Sequence, residues 1–281
     1  MCSMVVSTVR GSRFRLSLVR RVLLLVVIGL FLLQFFKLKV LVGGLSGSIA
    51  VSFVKFLDVF AYLESLIASG DFTTDALLAV VPIAGIYLIF GRAFCGWICP
   101  MDFLYELVGR IRNPLRRIII LPPAVGYIIA VSLLLLSALL GAPLFTKYLS
   151  HLTNFFRLIT GGVFLALDLP VEASVVFYSA SVLVALLILE FFFPRLWCRV
   201  LCPVGKTYGL FNKASLLALR FEKAPCAGCS LCNQQCYMGV KIEENTDRPG
   251  LRDLNCIYCN RCAEGCATKG GLVSMKLRWW K

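Results

Sequence analysis

Arg92-Ala-Phe-Cys95-Gly-Trp-Ile-Cys99-Pro100 is met a second time as Arg195-Leu-Trp-Cys198-Arg-Val-Leu-Cys202-Pro203. Tyr105 and Leu107 follow the first copy, and Tyr208 and Leu210 follow the second at the same offset. Long apolar segments precede each copy: Val19 to Val42 and Asp75 to Ala93 before the first, Leu121 to Gly141 and Glu172 to Phe193 before the second. At about 20 residues per crossing, all four read as membrane spans. The third opens on Leu121-Pro122-Pro123, a good helix start because an early proline forfeits no hydrogen bond. The sequence therefore predicts an all-α membrane protein of four transmembrane helices, a duplicated two-helix unit with a pseudo-two-fold axis along the membrane normal. The intervening segments Leu45 to Ile67 and Tyr148 to Leu169 are too apolar for plain loops. They are expected as short interfacial or re-entrant helices, or as caps packed on the outer ends of the bundle.

Composition agrees with this reading. Hydrophobic residues make up 59% of the 281 positions and charged residues 16%, against about half and about a quarter in a soluble domain. The net charge of +14 raises the question of nucleic acid, and its distribution answers it. Three groups, Arg10 to Arg21, Arg92 to Arg117 and Arg195 to Lys281, hold 24 of the 29 basic residues. Cations gathered on alternate connections follow the positive-inside rule, which places the three groups and both termini in the cytoplasm. No aromatic–basic pattern points to nucleic acid. The start of the chain has some features of a signal peptide but is read as a membrane anchor.

All thirteen cysteines except Cys2 then fall on a reducing side, where structural disulfides are rare. Residues 1–220 form the predicted transmembrane domain and 221–281 a small cytosolic α+β domain. Within the latter, Cys226-x2-Cys229-x2-Cys232-x3-Cys236 is followed by Cys256-x2-Cys259-x2-Cys262-x3-Cys266. Three thiolates at two-residue gaps wrap one cubane, and the fourth cysteine of each run ligates the other. That rule assigns Cys226, Cys229, Cys232 and Cys266 to one [4Fe-4S] cluster and Cys256, Cys259, Cys262 and Cys236 to a second. Structural zinc prefers two separated ligand pairs. Tyr237 and Ala267 stand where proline usually follows such runs.

The C-x3-C-P pairs leave three readings open. Cys95, Cys99, Cys198 and Cys202 could jointly hold a third iron–sulfur cluster, form a redox-active dithiol relay, or serve packing. Ionisable groups within or beside apolar spans are default candidates for a quinone pocket, which makes Asp58, Glu190 and His151 the candidates for handling the protons of quinol. The chain has no C-x-x-C-H for haem attachment, and neither a G-x-G-x-x-G in strand–helix context nor a P-loop. Nicotinamide, Rossmann-bound flavin and ATP chemistry are therefore not expected.

The paired C-x3-C-P motifs, the apolar spans and the terminal two-cluster cysteine pattern together resemble the NapH family of membrane polyferredoxins, whose core also ends NosR-type proteins. Asp58-Val-Phe-Ala-Tyr-Leu-Glu64 is similar to a family segment written D-P-[FY]-x-x-L-Q, with Val59 for the proline and Glu64 for the glutamine. The resemblance implies a quinol-dehydrogenase subunit in the cell membrane, passing electrons from quinol towards an exported reductase, with a separate iron–sulfur subunit as neighbour. An iron–sulfur maturation factor and a redox sensor are the alternative classes.

Overall fold

The computed structural model describes residues 10–33, 42–43, 48–51, 54–70, 72–111, 121–221, 228–246, 250–267 and 273–277. They fall into two compact units: residues 27–84 with 100–204, and residues 1–26 with 85–99 and 205–281.

The first of these units is mostly helical. α1 (Arg10–Leu33) runs into it from the other unit, and a three-stranded antiparallel sheet follows: β1 (Val42–Gly43), β2 (Ser48–Val51) and β3 (Val54–Leu57). α2 (Val59–Ser69) starts where Asp58 Oδ1 accepts the amide hydrogens of Phe60 and Ala61 at 2.8 and 3.0 Å. Most of α3 (Thr74–Phe90), α5 (Pro100–Ile111), α6 (Pro123–Leu140), α7 (His151–Ala166) and α8 (Ala173–Phe192) supply the rest; the end of α3 from residue 85 and the short α4 (Ala93–Trp97) belong to the other unit. α6 packs on α2, and α8 packs on α7 and α5. The core gathers Phe60, Ala130, Phe145 and Cys202, with Trp197 against them. Glu64 is fully buried there. Its carboxylate accepts from Ser137 Oγ (2.9 Å), the Phe145 and Thr146 amides (2.6 and 2.9 Å) and Thr146 Oγ1 (2.5 Å). Four donors thus compensate the burial of one carboxylate and tie α6 to the turn that follows it.

This architecture corrects the expected four-helix transmembrane bundle. Among the described residues one helix, α8, is long and apolar enough to cross a bilayer. The reason lies in where the apolar runs stop being helix. α3 has 17 residues and contains Pro82; it rises only about 26 Å, against a hydrocarbon core of about 30 Å. The apolar part of α6, Ala124–Leu140, is similarly short. The first half of α1 carries Arg10, Arg13, Arg15, Arg20 and Arg21, and the expected span to Val42 ends in β1 rather than helix. The segment read as an interfacial helix from Leu45 includes the β2–β3 hairpin before α2 begins. Short apolar runs rich in valine and isoleucine fit a strand as well as a helix, and periodicity alone does not separate them.

The second unit holds the tail. α9 (Pro203–Ala214) leads into β4 (Leu217–Phe221), which pairs antiparallel with β5 (Gly250–Leu251) on one side and β6 (Val273–Leu277) on the other. α10 (Leu231–Gln234) and α11 (Arg261–Ala267) pack together. Leu219, Met238, Ile242, Ile257 and Tyr258 are buried at its centre.

Candidate functional site

The tail thiols are placed by two short helices, α10 and α11, and by the loops that enter them. Gly228 and Ser230 flank Cys229 with φ of 59° and 52°; Tyr258 and Asn260 flank Cys259 with 50° and 63°. This left-handed pair, repeated around the middle cysteine of each motif, curls the chain so that successive thiols turn inward. Cys232, Cys256 and Cys262 are buried, while Cys229, Cys236, Cys259 and Cys266 are half-buried. Cys226 lies outside the described residues.

Burial pushes the Cys236 thiol up to about 11, and the neighbouring Cys259 adds to the shift. Cys256 is raised well above the ordinary thiol range by burial, with Cys262, Cys259 and Cys236 all contributing. Cys262 rises for the same reasons, through Cys259, Cys236 and Cys232. Ionisation of Cys236, Cys256 and Cys262 is therefore opposed by burial first and by neighbouring thiols second, a state that a cationic centre beside them would relieve. No three such groups among the described residues are arranged to hold a single metal ion. A cubane asks for something different, since each of its four irons takes one thiolate. The donor set fits that group.

The C-x3-C-P copies share a geometry. The Cys99 amide donates to the Phe94 carbonyl at 3.1 Å and the Cys202 amide to the Trp197 carbonyl at 2.8 Å, five residues back in both cases. Proline after each cysteine bars continuation of the helix, and the last turn widens, the second copy forming a π-helical turn over Trp197–Leu201. Such turns gather at functional positions. In both copies the second cysteine is buried and the first half-buried.

The copies also exchange partners. Arg195 Nη1 donates to Asp102 Oδ1 at 2.5 Å, and its Nη2 to the Asp102 carbonyl at 3.2 Å. Asp102 stands three residues past Cys99. The corresponding place in the second copy is Gly205, where a Cβ would lie 2.4 Å from Arg92 Nη2. Each arginine therefore meets the position three beyond the second cysteine of the other copy.

The quinone-pocket candidates take distinct places. Asp58 caps α2, as described above. Glu190 is buried, accepting the Arg195 amide at 2.8 Å and lying 3.7 Å from its Nε. His151, also buried, opens α7 behind the Ser150 cap, and its Nδ1 accepts Trp197 Nε1–H at 2.9 Å. The neutral ring therefore carries its proton on Nε2, and the bond joins His151 to the residue before Cys198. Burial lowers His151 to about 4. Above pH 6.5 the ring is neutral folded or unfolded, and its contribution is complete. As pH falls towards 4 the unfolded chain takes up a proton that the folded chain refuses, so stability drops by about 3 kcal/mol across that window. His151→Phe should flatten that part of the stability profile, read by thermal unfolding at a series of pH values.

Sequence reasoning passed over Trp97 and Asn212. For Trp97 a signal existed: Gly96 and Trp97 in the first copy face Arg199 and Val200 in the second, a break in an otherwise matched repeat.

Comparison with known proteins adds to this geometry. A family described as a 4Fe-4S binding domain matches residues 72–119 and 175–223, each stretch containing one C-x3-C-P copy. The ferredoxin-type protein NapH of Escherichia coli is 26% identical, covering 94% of this chain and 90% of its own length. The methylamine utilization ferredoxin-type protein MauN of Methylobacillus flagellatus is 28% identical over 90% of the chain and 89% of that relative. The regulatory protein NosR of Pseudomonas aeruginosa is 27% identical over 68% of the chain, which spans 26% of that longer protein. No solved structure matches. With its paired cysteine repeats inside the two 4Fe-4S binding stretches, the chain is similar to the NapH-type ferredoxin proteins, which supports 4Fe-4S binding and a role in electron transport.

Proposed function

We propose that the chain is a membrane-associated electron carrier that takes electrons from quinol and passes them through two tail [4Fe-4S] clusters towards a partner reductase. The carrying observation is that buried thiols of both tail motifs lie near one another: Cys259 raises Cys236, and Cys236 raises Cys256 and Cys262. In this reading Cys236, Cys256, Cys259 and Cys262 hold one cluster, and Cys226, Cys229, Cys232 and Cys266 hold the other. Bound clusters supply one-electron storage with little rearrangement; the chain supplies burial and thiolate ligands. Cys95 and Cys99 in one copy, and Cys198 and Cys202 in the other, are thiolate donors for further iron–sulfur chemistry, a role supported by the 4Fe-4S family match on their two stretches. Membrane attachment is supported by α8 and by large apolar side chains turned outward, including Leu78, Leu139 and Phe177. An association with a redox enzyme complex is in keeping with the MauN and NosR relatives.

The test is iron and acid-labile sulfide per chain after anaerobic purification, with EPR before and after addition of quinol. About twelve irons and quinol-dependent reduction are expected. About eight would remove the C-x3-C-P ligand role, and clusters that quinol leaves oxidised would remove the quinol step.

A further inference from the structure

The two copies of the repeat differ at Gly96 and Trp97, and the structure gives that difference a use. Gly96 is buried against the loop that enters the second tail motif: a Cβ there would stand 2.5 Å from the Ile257 carbonyl oxygen. Arg199, at the corresponding place in the second copy, could not come so close. One residue on, Trp97 Nε1–H donates to the Tyr258 carbonyl at 2.9 Å. The loop is gripped from another side by Asn212, whose Nδ2 donates to the Asp253 and Cys256 carbonyls at 2.7 and 2.8 Å. Asn212 Oδ1 in turn accepts the Arg92 amide at 2.7 Å.

Tyr258 itself is strained. Its φ is 50°, where the corresponding residue of the first motif is Gly228 at 59°. A left-handed conformation costs a residue with a Cβ about 1–2 kcal/mol, and such strain persists only where the surroundings over-determine it. Here they do. The ring is buried, its Cε2 lies where only Gly91 leaves room (a Cβ at Gly91 would be 2.9 Å away), and its hydroxyl is 3.4 Å from Ser215 Oγ. A tyrosine held this way, next to Cys259 and hydrogen-bonded to the turn between Cys95 and Cys99, marks a junction.

We infer that Trp97 is a positioning residue for the tail site of Cys236, Cys256, Cys259 and Cys262: by holding the Tyr258 carbonyl it fixes that site against the first C-x3-C-P turn. This site, rather than the one containing Cys229 and Cys232, is then the tail's point of electron exchange with the rest of the chain. One electron leaves a reduced iron–sulfur centre on one side of the junction and enters an oxidised one on the other, with no bond made or broken. The inference rests on the proposed cluster assignment and adds an order to it.

The experiment uses the full chain carrying Trp97→Phe, purified anaerobically with its iron. Potentiometric EPR and the rate of iron loss to a chelator are read for each cluster. The cluster that Cys236→Ser removes should shift in potential and lose iron roughly fivefold faster, the factor for one ordinary hydrogen bond, while the other stays unchanged. If Trp97→Phe does not accumulate, Gly96→Ala presses on the Ile257 carbonyl with the indole intact and is read the same way. Equal changes at both clusters, or none at either, overturn the inference and leave the cluster assignment standing. A wild-type chain without iron overturns the assignment itself.

Discussion

Cys236→Ser should abolish the same EPR signal as Cys256→Ser, Cys259→Ser or Cys262→Ser, with a loss of about four irons per chain. Cys229→Ser and Cys232→Ser should erase the other signal instead. By position Cys236 belongs with Cys229 and Cys232, four residues after the latter. The proposed crossed assignment groups it otherwise, and Cys236 does lie near thiols of the second motif: Cys259 raises Cys236, and Cys236 raises Cys256 and Cys262, the last also raised by Cys232. Should Cys236→Ser remove the signal that Cys232→Ser removes, the crossed ligand assignment is wrong. Iron analysis together with low-temperature EPR of the six variants decides it.

Arg195→Leu should destabilise its unit by about 3–5 kcal/mol, the usual consequence of stranding buried charges. Asp102 and Glu190 both sit against this one guanidinium, all three residues being at most 5% exposed. Removing the cation takes the guanidinium from two buried carboxylates. The guanidinium also lies 5.7 Å from the centre of the Tyr105 ring, so lost packing adds to lost charge. Adding Asp102→Leu to Arg195→Leu should recover part of the stability, because one of the stranded carboxylates goes with it. Thermal unfolding of the purified variants reads both effects, and an Arg195→Leu chain as stable as wild type would show that the three groups are solvated in solution.

What the sequence disclosed was what neighbours in sequence decide. The tail cysteines are spaced for their chemistry, and the repeat could be read because its arginines, cysteines, prolines and tyrosines keep one offset. Contacts between distant residues were hidden. Trp97 donates to a carbonyl 161 positions away, and the break in the repeat that marks its position says nothing of that partner. Glu64 stood in the quoted family segment, yet its role came from Ser137, Phe145 and Thr146, which fold back from beyond α6. The β2–β3 hairpin and the shortness of α3 were missed for one reason: apolar runs record burial but not backbone conformation. Glu190 and His151 drew notice as isolated ionisable groups. In the structure each has a specific partner, Arg195 and Trp197, supplied by the second cysteine repeat.

The exchanged contacts of Arg92 and Arg195 also bear on ancestry. When two identical subunits meet across a two-fold axis, residue i of one touches residue j of the other, and j touches i. Fused into a single chain, such a dimer would carry every contact twice, as Arg195 on Asp102 and Arg92 on Gly205 do here. Within one chain the two cysteine repeats keep that reciprocity at this pair of positions. Identical subunits must change together, whereas tandem halves are free to diverge. One half has kept a carboxylate opposite its partner's arginine; the other has a glycine there. Between the cysteines, one half has gained the Gly-Trp that receives the tail and the other an Arg-Val that does not. The two copies of the repeat are therefore chemically distinguishable, one with a carboxylate and Gly-Trp, the other with a glycine and Arg-Val.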